Sequence, residues 1–239
     1  MTPGILVDDK AYLVVEKPSG WITNDASTTG SQPVLQTWLR ENLDYEISKN
    51  NEFRSGIVHR LDKETSGVLV VAKTESAFRV LQEQFKERVV KKRYTALAHG
   101  KVALKEGDID APVGRLPWRR DRFGVLPGGR PAFTSYKLKG YYKKDGETMT
   151  LLTLFPKTGR THQIRIHLKH LGNAIVADEF YAGRKTARKD RLWCPRLFLH
   201  ASGLSFKDPE TGKVVEFEAE LPKDLKTALA TLESTSENI

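Results

Sequence analysis

The run His59-Arg60-Leu61-Asp62-Lys63-Glu64-Thr65-Ser66-Gly67 leads directly into the apolar stretch Val68-Leu69-Val70-Val71. It sets Asp62 in a turn just before a strand that reads as buried, flanked by Arg60 and by small hydroxyl and glycine residues. A carboxylate presented on a loop by a rigid scaffold is well placed to do chemistry. An isolated Asp in such a turn is most often a turn residue or helix cap, so the surrounding pattern must carry the argument. His162, His167 and His170 call for a metal check. Their spacing does not bring three ligands to one helical face, and no carboxylate on the same stretch completes a set, so no metal site is expected.

The charge balance narrows the partners. Lys and Arg number 39 against 30 Asp and Glu, giving a net charge of +9. That excess favours a polyanion, because each cation placed on a phosphate can release a counterion. The basic residues cluster over 86–93, 115–130 and 184–196. In the second cluster Arg115, Arg119, Arg120, Arg122 and Arg130 surround Trp118 and Phe123, a mixture suited to RNA backbone contact and base stacking. Arg119 and Arg120 are the chosen contact residues. Cys194 is the only cysteine, which excludes an internal disulfide and fits a reducing, cytoplasmic setting. The apolar runs are too short to span a bilayer, and residues 1–7 lack the features of a signal peptide.

Apolar periodicity and turn residues supply the elements. Strands are expected at 11–15, 68–72, 92–98, 133–138, 148–154, 197–199, 204–206 and 214–218. Helices are expected over 34–42, over 75–88 with Thr74 as cap, from Thr161 to Gly172 with Ile164, Leu168 and Leu171 buried, and over 223–232. Residues 102–131, rich in Gly, Pro and Arg, read as a surface insertion loop. The order predicts an α+β fold: a largely antiparallel, mixed sheet in two lobes with helices packed on its faces.

The spacing His-Arg-Leu-Asp, two residues, then Thr-Ser-Gly resembles the active-site motif of the RluA-type RNA pseudouridine synthases. Further motifs follow in that family's order: Lys17-Pro18-Ser19-Gly20, then Lys91-Lys92-Arg93-Tyr94, then Thr158 through His167 as Thr-Gly-Arg-Thr-His-Gln-Ile-Arg-Ile-His, then Leu197 to Ala201. Ordered matches from Lys17 to Ala201 are far more specific than any one short motif.

The resemblance implies the pseudouridine synthase catalytic fold over 1–239; some members of that family carry an S4 domain, and with the first motif already at Lys17 none is expected here. It also implies isomerisation of specific uridines in ribosomal RNA or tRNA stem-loops. The N1–C1′ bond is cleaved, the base rotates, and C5 is joined to C1′; no cofactor is needed. Asp62 would be the catalytic carboxylate, acting either by attack on C1′ or by helping to form a glycal. Arg165 would pair with Asp62 and favour its ionised form. Tyr94 would stack on the base, and Arg60 would help extrude it, since a paired nucleotide must be flipped to be reached. His59, Leu61 and Thr65 belong to the same substrate-binding motif, and Ile164 and Leu199 would line the base pocket. The protein is expected to act as a monomer, off the membrane. The alternative class is a non-catalytic RNA binder, which would need none of Asp62, Tyr94 and Arg165. A metal-dependent nuclease lacks a clustered ligand set.

Overall fold

The computed structural model describes residues 2–235, the Arg120 side chain excepted. The sequence also leads one to expect the last residues to fray; residues 236–239 lie outside the described residues. The fold is α+β with largely antiparallel strands, and the chain divides into two compact units, Met1–Lys92 with Ala201–Ala219 and Arg93–His200 with Glu220–Ile239.

In the first unit the strand order is β1 (Gly4–Asp8), β2 (Tyr12–Lys17), β3 (Ser66–Ala72), β10 (Leu199–Lys207, within this unit from Ala201), with β11 (Val214–Glu218) on β10. β2 and β3 are antiparallel, with Lys17 opposite Gly67. Both are buried on both faces, which is why they read as continuous apolar runs rather than alternating ones. Tyr12, Val14, Val68 and Val70 share a core with Phe78 and Leu81 of α2 (Glu75–Lys86). Thr74 caps that helix by accepting from the Ala77 amide at 3.2 Å. Val89 lies beyond the helix end and is exposed, while Val90 is buried. α1 (Leu35–Asn42) buries Leu35 and Leu39. The edge strand β1 was not expected; its residues are mostly exposed and leave no alternating pattern.

In the second unit the order is β4 (Lys91–His99, within this unit from Arg93), β9 (Glu147–Pro156), β8 (Phe133–Lys144) and β12 (Glu233–Ser234), with β5 (Glu106–Asp110) pairing the start of β8 on the same edge as β12. β8 and β9 form a long hairpin closed by Asp145-Gly146, both with positive φ. α5 (Lys223–Ala230) buries Leu225 and Ala228 in the same core as Leu97, Leu152, Leu154 and Leu168.

Residues 102–131 are not an irregular surface loop. They contain β5 and the hairpin β6 (Val113–Leu116)–β7 (Arg119–Val125). Val102, Ile109, Ala111 and Val113 are buried, anchoring a segment whose Gly, Pro and Arg content hides its strands. Helix α3 runs Gln163–His170, two residues later than expected, because His162 takes a left-handed conformation (φ 55°). Leu171 follows the helix and is exposed, not buried, and Gly172 (φ +87°) turns the chain away. α4 (Arg184–Asp190) was not expected from its charged sequence.

Candidate active site

In the first unit the Asp62 turn is held from beneath by the Lys17-Pro18-Ser19-Gly20 loop. The Thr65 amide donates to the Asp62 carbonyl at 3.1 Å, closing a β-turn over Asp62–Thr65. The Gly20 amide donates to the Lys63 carbonyl at 2.8 Å, and Ser19 Oγ donates to the Glu64 carbonyl at 2.8 Å. Lys17 is fully buried, and its ammonium donates to the carbonyls of Pro18 (2.9 Å), Trp21 (2.8 Å) and Lys63 (3.3 Å). The two motifs, far apart in sequence, are thus one structural device. Leu61 is locked beside it: Thr23 Oγ1 donates to its carbonyl at 2.7 Å and accepts from its amide at 3.2 Å.

Gly67 completes the support. Its φ is +124°, and a Cβ there would lie 2.2 Å from the Ala201 carbonyl oxygen, so the strand that follows the Asp62 turn can meet β10 only through glycine. His59 belongs to this scaffold. Its Nε2 accepts from the Val70 amide at 3.0 Å and its ring stacks on Phe85 at 4.4 Å. Accepting at Nε2 requires a neutral ring, and burial, reinforced by Lys92, lowers its pKa to about 3. Thr65 is buried, with its hydroxyl unpartnered among the described residues. Arg60 is exposed. Asp62 is half-buried, and within the first unit its carboxylate has no hydrogen bond or ion pair among the described residues.

In the second unit Tyr94, Ile164 and Leu199 converge on one core: Ile164 and Leu199 are buried in it, and Tyr94 packs against it half-exposed, opposite Leu154 of β9. Arg165 follows Ile164 on α3 and is buried. The resemblance pairs Arg165 with Asp62; the bidentate partner found here is Asp178. Arg165 Nε meets Oδ2 at 2.7 Å and Nη2 meets Oδ1 at 2.8 Å, and Asp178 is fully buried. Asp178 Oδ1 also accepts from the amides of Phe180 (3.0 Å) and Tyr181 (3.1 Å). The guanidinium lies 5.4 Å from the Phe180 ring centroid and 5.1 Å from that of Tyr181, whose hydroxyl is 3.0 Å from His162 Nδ1. Carboxylate, two amides and two rings therefore fix one arginine.

Gln163 organises the turn before α3. Its Oε1 accepts from Thr158 Oγ1 (2.7 Å) and the Arg160 amide (3.0 Å), while Nε2 donates to the Phe133 carbonyl and to Thr134 Oγ1. His167 is buried, with Nε2 donating to the Ala111 carbonyl at 3.0 Å and Nδ1 2.9 Å from Thr134 Oγ1. Burial holds its pKa below the usual histidine range. Asp178 and Thr23 escape sequence reasoning because each acts on another residue's backbone or side chain at no fixed spacing; Gln163 lies within the matched Thr158–His167 motif, but its partners in β8 are not legible there.

On the β6–β7 hairpin, two arginines of the cluster that interleaves with aromatics stack on the protein's own rings: Arg115 on Phe123 at 5.0 Å and Arg122 on Phe180 at 5.3 Å. Trp118 at the tip is 75% exposed, and Arg119 is exposed beside Asp121 at 3.7 Å. The Arg120 side chain, chosen with it, lies outside the described residues.

A family profile described as RNA pseudouridylate synthase matches residues 11–170, which contain both the Asp62 turn and α3. The chain belongs to the RNA pseudouridylate synthase family. It is 42% identical over 217 residues to an "uncharacterized RNA pseudouridine synthase" of Chloroflexus aurantiacus, covering 91% of this chain and 65% of the relative. It is 37% identical over 229 residues to a "ribosomal large subunit pseudouridine synthase D" of Nitrosomonas europaea, covering 94% of this chain and 64% of the relative. The chain thus spans slightly under two thirds of both of these family members. Among solved structures it is similar to the human RNA pseudouridylate synthase domain containing 1, with a TM-score of 0.72, 25% identity, and coverage of 98% of this chain and 89% of that one.

Proposed function

We propose that this protein is an RNA pseudouridine synthase that isomerises specific uridines in structured RNA, with ribosomal RNA as the first class to test. The observation that carries this reading is the Asp62 turn: a half-buried carboxylate, without a partner in its own unit, on a backbone gripped by a buried ammonium and flanked by an exposed arginine. Such a group, uncommitted within its own unit among the described residues, is positioned rigidly enough to act on a substrate. Family membership supplies the chemistry, and relatives named as large-subunit ribosomal RNA enzymes support the substrate class. A tRNA stem-loop is the second class.

In this reading Asp62 starts cleavage of the N1–C1′ bond, by attack at C1′ or by helping to form a glycal. The base rotates, C5 bonds to C1′, and the C5 proton leaves. Arg165, held immobile by Asp178, is the catalytic cation of this reading. Tyr94 stacks on the target base, Ile164 and Leu199 form apolar walls for it, and Arg60 occupies the space left by the extruded nucleotide. Leu61 and Thr65 hold the turn, and Arg119 and Arg120 contact the RNA backbone. The enzyme acts as a monomer in the cytoplasm and uses no cofactor. No helix among the described residues is long and apolar enough to cross a membrane.

The test is direct. Unmodified ribosomal RNA and tRNA transcripts are incubated with the protein, digested to nucleosides and separated by chromatography. A nucleoside with the mass of uridine and the retention of pseudouridine is the expected product. Tight RNA binding with no such product in either RNA would favour the binding-protein reading.

A further inference from the structure

The α4 segment carries a groove that the uridine chemistry does not use. It has a volume of about 610 Å³ and is lined by Glu179, Arg184, Lys185, Ala187, Arg188 and Arg191. Four cations thus face one carboxylate. Glu179 sits between the two end arginines, 3.5 Å from Arg184 Nε and 3.6 Å from Arg191 Nη1. These are loose, exposed pairs that cost little to exchange for another anion. Arg184, Arg188 and Arg191 recur at helical spacing and so form a stripe roughly 10 Å long, while Ala187 and Asp190 turn inward. Asp190 is committed to the fold, taking His99 Nε2 at 2.9 Å and the Ala177 amide at 2.8 Å.

We propose that this groove is a docking surface for the phosphodiester backbone of the RNA substrate, away from the modified base. This rests on the RNA-modifying reading above. The lining argues for phosphates alone: it holds no aromatic face to stack a free nucleotide, and its one apolar side chain is an alanine. The groove is also tied to the reaction by the chain itself. Glu179 directly follows Asp178, the residue that fixes Arg165, so a strand gripped here is gripped by the segment that sets the arginine.

The experiment compares two double substitutions with equal charge change in the full chain. Lys185→Gln/Arg188→Gln alters the groove; Lys139→Gln/Lys143→Gln alters exposed lysines of β8. Binding of a labelled stem-loop transcript of ribosomal RNA is followed by anisotropy between about 50 and 200 mM salt, the range over which phosphate contacts are lost. The groove pair is expected to raise Kd about tenfold and to flatten the log–log salt slope by about 1 to 2, with unchanged circular dichroism and near-unchanged kcat at saturating RNA. The β8 pair is expected to leave the slope unchanged. Equal effects from both pairs, or none from the groove pair, would overturn the proposal. A slope that depends on the groove in a protein that forms no pseudouridine would sustain the groove and overturn the enzymatic reading.

Discussion

Replacing Lys17 by Met removes the ammonium under the Asp62 turn while keeping the volume of the buried chain. The three carbonyls it serves differ in what remains to them. The Lys63 carbonyl keeps the Gly20 amide at 2.8 Å, whereas those of Pro18 and Trp21 lose the donors at 2.9 and 2.8 Å. A buried acceptor left without its donor costs about 1–3 kcal/mol, and less where water reaches it; these two bonds are part-buried, so together they would cost about 2–4 kcal/mol. Removing a buried charge returns part of that, because the ammonium no longer has to be desolvated. The expected net loss is about 2 kcal/mol, which at an m-value of about 2–3 kcal/mol/M lowers the urea midpoint by about 1 M. The second effect is on position. Lys63 adjoins Asp62, and a displacement of about 1 Å in a reacting group can cost about a hundredfold in rate. Lys17→Met is therefore expected to lower kcat by about 10- to 100-fold, measured as pseudouridine formed at saturating RNA, with KM within a few-fold of the parent. A lowered midpoint with unchanged kcat would show that Lys17 supports the fold without aiming the carboxylate, and would refute the reasoning.

Three further outcomes follow from the same geometry. Gly67→Ala places a Cβ 2.2 Å from the Ala201 carbonyl in a backbone conformation that disfavours L side chains. It is expected to lower soluble yield and thermal stability severely, whereas Gly128→Ala, at a positive φ with open space around it, should show only the smaller backbone strain. Asp178→Ala removes the bidentate carboxylate from the buried Arg165 guanidinium and should cost about 3–5 kcal/mol in urea unfolding; a loss under about 1 kcal/mol would mean that the pair is not structural. The pKa of His59 is lowered on folding, to about 3. The unfolded chain therefore binds the extra proton first, near the ordinary value of about 6.5. The stability tied to its neutral form is complete above about pH 6.5 and falls as the pH drops toward 3. His59→Gln should show a shallower acid limb in pH-dependent unfolding, and an identical limb would contradict the neutral, hydrogen-bonded assignment.

How far the fold could be read from sequence depended on burial. β2, β3 and α2 are clear because a doubly buried strand is uniformly apolar and an amphipathic helix with a Thr cap has a period and a start signal. β1 and α4 were missed because an exposed edge strand and a short basic helix carry neither. The 102–131 segment misled for a different reason: its few buried residues, Val102, Ile109, Ala111 and Val113, lie among many glycine, proline and charged residues that read as loop. For the site, motif spacing found Asp62 and Arg165 but not what holds them. Lys17 gripping the Lys63 carbonyl, Asp178 gripping Arg165, and Gln163 reaching Thr134 join residues 46, 13 and 29 positions apart, and no local pattern announces such pairs. For the hairpin arginines the residue types were legible, but their seating, Arg115 on Phe123 and Arg122 on Phe180, was not.

The central claim is that Asp62 carries out chemistry at uridine. Forming the C5–C1′ bond expels the hydrogen from C5, so RNA tritiated at uracil C5 reports each turnover as tritium released to water. The parent protein and Asp62→Asn, which keeps the shape of the side chain and removes its charge, would be run side by side on ribosomal RNA. The account predicts release by the parent and none above background by Asp62→Asn, with RNA affinity unchanged within a few-fold. Equal release by both proteins would contradict it and reduce Asp62 to a residue that shapes the turn.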